Sequence, residues 1–201
     1  MKVLVIGATG TIGSAVSALL ETEHEVLRAS HGRAQLTVDL ADQSSIRRLY
    51  DAVGPIDAVV CAAGRAAFRP LLDLSQADID LCLDNKLMGQ VNLVRSGATV
   101  VADRGSITLT SGILSRQPMP GGAAISMVNA GLEGFVRSAA LELPRGIRIN
   151  VVAPGWVSET LSAMNRDPSA GTPAAVVART YRECVGGTMT GQVLDAVGNA
   201  S

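Results

Sequence analysis

Lys2-Val-Leu-Val-Ile-Gly7-Ala-Thr-Gly10-Thr-Ile-Gly13 is the stretch whose reading decides the fold. A short, mostly β-branched apolar run breaks into a glycine-spaced turn. An alanine-rich amphipathic stretch, Ser14 to Leu20, follows at once. Strand, tight turn and helix in that order are the context that a dinucleotide fingerprint requires. Three glycines here permit the turn, let the backbone approach a pyrophosphate, and let helix and strand pack closely. The helix N-terminus then offers free N–H groups and a positive dipole end to phosphates. Gly7, Thr9, Gly10, Thr11, Ile12 and Gly13 are the expected contacts.

The rest of the chain alternates in the same way. Val3–Gly7, Glu25–Arg28, Gln35–Asp39, Asp57–Ala62, Ser106–Thr110, Ile147–Val152 and Gly191–Asp195 read as strands. Asp57–Ala62 is fully apolar after its first residue and is expected at the sheet centre. Thr11–Leu20, Gln43–Val53, a long helix from Ser75 to about Ala102, Ala123–Leu143 and a helix from Thr172-Pro173 to about Val185 fill the intervals. Ser75 with Asp78 forms a capping-box signal, and Thr172-Pro173 reads as an N-cap with Pro at the first helical position. Strands alternating with helices imply right-handed crossovers and a doubly wound parallel sheet with helices on both faces. The fold class is therefore α/β, Rossmann-type, with residues 1–201 as a single domain. Val157–Gly171, rich in Ser, Asn, Asp, Pro and Gly, is the expected mobile segment. It follows a strand's carboxyl end, where such sheets bind ligands.

Composition limits the functional classes. The chain has 201 residues, 47% hydrophobic but only 2% aromatic, so Ala, Val, Leu and Gly carry the packing of a buried parallel sheet. A net charge of −1 gives no electrostatic case for nucleic acid or a membrane surface. No apolar run approaches a membrane span. Cys61, Cys82 and Cys184 lack metal-ligand spacing; no metal is expected, and buried or free thiols in a reducing cytoplasm are. The N-terminus superficially resembles a signal peptide, but cleavage there would destroy the first strand and the glycine turn.

The end of the second strand selects between NAD and NADP. An acid there would bond the ribose 2′-OH, and a nearby Arg would hold a 2′-phosphate. The chain reads Arg28-Ala-Ser30-His31-Gly-Arg33, with no acid, which favours NADP(H).

At these residues and beyond, the chain resembles the short-chain dehydrogenase/reductase family over nearly its whole length. The glycine turn has the G-x2-G-x2-G spacing of the family's extended and atypical members. The resemblance implies that Asp39, beside Leu40, contacts adenine. It places Cys61-Ala62-Ala63-Gly64 where the family has Asn-Asn-Ala-Gly, with both asparagines replaced. It makes Asn85 and Ser111 the asparagine and serine of the catalytic tetrad, and Pro154-Gly155 and Val157 the turn beside the nicotinamide. Glu159 stands where a threonine is usual, and Thr190–Leu194 resembles the family's terminal strand.

The departure lies in the long helix, Gly122-Ala-Ala-Ile125-Ser-Met-Val-Asn129. The family's Tyr-x3-Lys falls on Ile125 and Asn129. The only tyrosines are Tyr50 and Tyr181, and the only lysines Lys2 and Lys86. In the family the phenol exchanges a proton with the substrate oxygen and the Lys lowers its pKa. Ile has no proton to exchange. Asn129 retains the ability to bond a ribose hydroxyl, since residues four apart share a helix face. Loss of a general acid costs ~10²–10⁴ in rate.

Other candidates carry less. Lys86 reads as a solvated cation, Cys61 as an inert core thiol, Ser126 as an ordinary helical serine, and His31 as too near the adenosine end for catalysis. Two functions follow: an NADP(H)-dependent oxidoreductase with a non-standard proton donor and an unidentified small-molecule substrate, or a catalytically inactive dinucleotide-binding sensor or partner subunit. The family resemblance implies a homodimer or homotetramer through the two long helices, where Gly131, Gly134, Ala139 and Ala140 permit close packing.

Overall fold

Alternation along β1 (Lys2–Ile6) sorts its side chains onto two faces. Val3 and Val5 join one core cluster with residues of α1 (Thr11–Leu20) and α7 (Ala174–Gly186). Leu4 and Ile6 join the other, with α2 (Gln43–Val53), α4 (Gly89–Gly97) and α5 (Ala123–Glu142). A strand buried on both faces needs apolar residues at every position, which explains the unbroken run in the sequence. The computed structural model describes residues 1–198.

The remaining strands are β2 (Glu25–Ser30), β3 (Leu36–Thr37), β4 (Ile56–Cys61), β5 (Val101–Thr110), β6 (Arg148–Pro154) and β7 (Val193–Ala196). They form one seven-stranded sheet in the order β3-β2-β1-β4-β5-β6-β7. Every pairing is parallel. β4 is central, as its apolar sequence requires. The order reverses between β1 and β4, the crevice where doubly wound sheets bind ligands.

Four expectations are corrected. The long helix does not reach Ala102. It starts as α3 (Gln76–Leu81) with the Ser75–Asp78 capping box, widens into a π-helical turn over Cys82–Met88, and continues as α4 to Gly97. Its last residue, Gly97, packs against Tyr50, where a Cβ would sit 2.7 Å from the phenol oxygen. Ala102 instead belongs to β5, which begins at Val101 and shifts register against β4 before Ser106. The third strand shrinks to Leu36–Thr37, since Val38 and Asp39 already turn toward α2. Thr172 does not cap α7. That helix starts at Ala174, whose N–H is accepted by the Glu159 carboxylate at 2.9 and 3.1 Å.

Val157–Gly171 is organised rather than loose. It holds α6 (Ser158–Ala163) and a 3₁₀ turn at Pro168–Ala170 that Asp167 caps. Val157 bridges Thr172. The segment's base is tied by Thr172 N–H to the Trp156 carbonyl (2.8 Å) and Ser158 N–H to the Thr172 carbonyl (3.0 Å).

Gly13 and Gly134 provide a matched test of these contacts. A Cβ on Gly13 would lie 2.0 Å from the Gly7 carbonyl oxygen, whereas one on Gly134, exposed in α5, meets nothing within 4 Å. Gly13→Ala should destabilise the fold by at least ~2 kcal/mol, since backbone cannot give way cheaply. Gly134→Ala should stabilise it by ~0.5–1 kcal/mol through helix propensity. Denaturant midpoints of the two variants check both signs.

Candidate functional site

The turn after β1 is shaped by contacts that only glycine allows. Gly7 has φ +84°, and a Cβ there would lie 2.7 Å from the Ala62 carbonyl oxygen. Gly7 and Ala8 N–H both donate to the Ala29 carbonyl, at 2.9 and 3.1 Å, which fastens the turn to the end of β2. No side chain caps α1, and no acid occupies its first turn. The N–H groups of Thr11, Ile12 and Gly13 have no intrahelical acceptor, so the positive end of α1 is open to an anion. Thr9, Gly10 and Thr11 are exposed around it.

Beside this turn runs a cleft of about 210 Å³ lined by Ile6, Gly7, Ser30, His31, Val38, Leu40, Ala63, Gly64, Arg65 and Asn85. The structure thus brings together Gly7, Ser30, His31, Leu40, Ala63 and Gly64 as expected. Asp39 stands next to it, with Oδ1 accepting from Ala41 N–H (2.9 Å) and Oδ2 3.8 Å from His31 Nε2. Ser30 Oγ accepts from Arg33 N–H at 2.9 Å, which folds the loop after β2. Arg33 itself lines a separate depression between β2 and β3, with Arg28, and not this cleft. Arg65 lines the cleft instead. It was missed because it follows the β4 end rather than the β2 end, and only the fold brings the two together.

At the other end of the same sheet edge, a chamber of about 150 Å³ is lined by Phe68, Ser111, Gly112, Ile113, Leu114, Ile125, Asn129, Pro154, Gly155 and Trp156. Ser111, Asn129, Pro154 and Gly155 meet here as expected. Ile125 forms part of the wall, one turn before Asn129 on the same helix face. The Ser111 hydroxyl is the only one among the lining residues. It donates to Glu133 Oε1 at 3.3 Å, and Ser115 donates to the same oxygen at 2.6 Å. Glu133 is buried, with Arg116 and Arg137 at 3.5 and 3.6 Å from Oε2, so its charge is fully compensated. It lies one turn beyond Asn129 on the same helix face, a spacing that could have identified it. Asn129 is only 1% exposed, and its Oδ1 has no partner.

Val157 lies elsewhere. Its side chain is buried in the cluster beneath α7 and lines neither cavity. Tyr181 and Tyr50 are structural. Their hydroxyls bond Thr110 Oγ1 (2.6 Å) and the Leu93 carbonyl (2.9 Å), and burial pushes both phenols well above their ordinary pKa.

The Asn85–Lys86 pair reverses the sequence reading. Asn85 does not face Ser111. Its Oδ1 accepts from Arg65 N–H at 2.7 Å, on the cleft wall. The π-helical turn rotates the next residue inward, so Lys86 is buried, 7% exposed, with Nζ donating to the Ser111 carbonyl at 3.1 Å. Its stem passes Gly64, where a Cβ would come within 2.9 Å of Lys86 Cγ. Gln90, fully buried, braces the same strand end: Nε2 donates to the Thr110 carbonyl (2.9 Å) and Oε1 accepts from Thr110 N–H (2.8 Å). A π turn inside an α-helix leaves no mark on hydrophobic periodicity, so neither role was visible. Cys61, Cys82 and Cys184 are buried free thiols, with Cys61 pushed up to about 12 by burial. Among the described residues no group of three or more His, Cys, Asp or Glu is placed to hold a metal ion, and no helix is long and apolar enough to cross a membrane.

A family model described as enoyl-(acyl carrier protein) reductase matches residues 8–186. The chain belongs to the short-chain dehydrogenase/reductase family. A 3-oxoacyl-(acyl-carrier-protein) reductase from Rickettsia conorii is 28% identical over 177 residues, covering 79% of this chain and 73% of that protein. A crystal structure of a protein from Listeria innocua superposes with TM-score 0.93 at 41% identity, covering 97% of this chain and 98% of that one. A small-chain dehydrogenase in complex with NADPH superposes with TM-score 0.86 at 28% identity, covering 97% of this chain and 95% of that one.

Within this short-chain dehydrogenase/reductase fold, Lys86 makes a testable demand. Burial lowers its pKa to about 8 from the ordinary 10.5. The folded state therefore binds fewer protons than the unfolded state between these values. The cost of burying the charge is present in full below pH 8 and fades as the pH rises to 10.5. Lys86→Met should raise the melting temperature at pH 7, and its advantage over the wild type should shrink between pH 8 and 10.5. An advantage independent of pH would show that the ammonium is not desolvated.

Proposed function

We propose that the protein is an NADP(H)-dependent oxidoreductase with a non-standard active site, acting on a small carbonyl or alcohol substrate. The observation that carries this reading is the unpaired, buried Oδ1 of Asn129 beside Ser111, on the edge of the sheet that also presents the open N-terminus of α1. A buried acceptor without a donor is costly. The hydroxyl of a nicotinamide ribose would satisfy it, so the residues present fit the cofactor. The NADPH bound to the small-chain dehydrogenase that this chain resembles supports the same choice.

The cofactor would supply the hydride donor or acceptor. The N–H groups of Thr11, Ile12 and Gly13 would hold the pyrophosphate. Ala63 and Gly64, which follow Ala62 at the end of β4, line the cleft that would take the adenosine, with Asp39 and Leu40 beside the adenine. His31 and Arg65, which line the cleft, would meet a 2′-phosphate, with Arg33 across the strand edge; the absence of an acid after β2 favours NADP over NAD. Pro154, Gly155 and the backbone of Val157 would bound the nicotinamide. Ser111 would donate its hydroxyl to the substrate oxygen. Ile125 shields the chamber from water but moves no proton, so turnover is expected to be ~10²–10⁴ slower than with a phenol acid. In this reading Asn85, whose Oδ1 accepts from Arg65 N–H, would shape the cleft wall.

Ile125 and Asn129 together favour a second reading, a dinucleotide-binding sensor or partner subunit without turnover. We also infer a cytoplasmic homodimer or homotetramer assembled through α5 and the α3–α4 helix with its π turn, where Met88, Met127 and Leu141 are exposed. Gly131 and Ala140 do not argue for it, since they pack against Leu87 and Gly191 of their own chain.

Titration with NADPH and NADH should give about tenfold tighter binding of NADPH, the size of one charge-assisted contact. A carbonyl screen followed by absorbance should show turnover that Ser111→Ala abolishes. Tight NADPH binding without turnover would select the sensor reading, and no binding of either cofactor would contradict both.

A further inference from the structure

The chamber at Ser111 does not end at its own wall. Phe68 and Trp156 line it and also line a second, more open groove of about 820 Å³. The groove's other walls are Pro70, Leu71, Met119, Pro120 and Met164, with Arg69 and Arg166 at the rim. Phe68, Leu71 and Met164 are 47, 70 and 51% exposed, so a large apolar surface lies open beside the candidate reaction centre.

Its cations differ. Arg69 has Asp78 at 3.9 Å. The ion pairs among the described residues do not include Arg166. Its guanidinium lies 5.2 Å over the Trp156 ring, which stacks on Phe68 with centroids 6.1 Å apart. The backbone fixes this placement. Asn165, with φ +54°, ends α6 in the left-handed conformation, and Arg166 N–H reaches back to the Leu161 carbonyl at 2.9 Å. The Thr172 N–H, donating to the Trp156 carbonyl, fixes the Trp156 backbone. A guanidinium on an aromatic face keeps its edge N–H groups free for a planar anion.

We propose that this groove binds the body of the substrate, and that the substrate is an amphiphile: an apolar chain or ring system of several carbons, with a carboxylate or phosphate held by Arg166. The proposal rests on the oxidoreductase reading for the end that enters the Ser111 chamber. A second copy of this chain would cover the apolar walls equally well but would leave Arg166 without a specific role.

Trp156 is the only tryptophan, so its fluorescence reports the groove without any turnover. The probes are octanoate, octyl phosphate, octan-1-ol and butyrate. Octanoate or octyl phosphate should change the emission saturably and bind about tenfold tighter than octan-1-ol or butyrate. Arg166→Gln should remove that difference, and Arg166→Lys should restore part of it. Whichever octyl anion binds tighter identifies the anionic group. Equal binding of octanol and the anions, equal binding of butyrate, or no saturable change overturns the proposal. So does self-association that Leu71→Ser abolishes. NADPH binding, read separately from the cofactor's own emission, should be unchanged in Arg166→Gln. Its absence in the wild type would refute the oxidoreductase reading and leave the groove result standing.

Discussion

The carbonyl of Gly7 occupies the space that a side chain on residue 13 would need. That contact sets how closely the first helix crosses the end of the first strand, and much of the structure follows from it. With α1 drawn in, Val16 and Leu20 reach Val3, Val5 and the apolar face of α7, which completes one of the two cores. The same approach aims the uncapped end of α1 along the carboxyl edge of the sheet, between β1 and β4, where the strand order reverses. The packing of α1 and the placing of its uncapped end therefore depend on one missing methyl group. Gly7 extends the constraint sideways, because its own close neighbour is the Ala62 carbonyl at the end of the central strand.

The sheet was legible because its signals are local. An apolar pentapeptide, a glycine turn and an amphipathic decapeptide each follow from the period of the side chains. The glycine turn and the open end of α1 were legible for the same reason. What escaped were features produced by irregular backbone or by distant segments meeting. The π turn at Cys82–Met88 moved the inward-facing position from Asn85 to Lys86, and a pattern based on 3.6 residues per turn cannot register that. Arg65 reaches the cleft only because the chain after β4 and the loop after β2 meet across the end of β1. Glu159, an unexplained replacement in the sequence, supplies the cap of α7 that Thr172 does not. The segment after Pro154 looked loose because its polar residues favour turns. They make turns here, but turns closed by Asp167, Asn165 and the Val157–Thr172 bridge.

Beneath the chamber, buried polar side chains converge on one serine. Ser111 is held from three sides, by Lys86 on its carbonyl, by Gln90 on the preceding residue, and by Glu133 on its hydroxyl. Lys86 and Glu133 are buried groups of opposite sign that do not pair with each other: Glu133 has its arginines, and Lys86 has one carbonyl. Such a platform holds a serine in place more firmly than it activates one.

The central claim is that a dinucleotide lies along this edge, from the α1 N-terminus to Asn129. Amide hydrogen exchange with and without NADPH tests it most directly. The account predicts added protection at Thr11, Ile12 and Gly13, at Ala63 and Gly64, and at Gly112 beside Asn129, with little change in α2 or at the β3 edge. Protection confined to the depression around Arg28 and Arg33, or absent from the glycine turn, would contradict it.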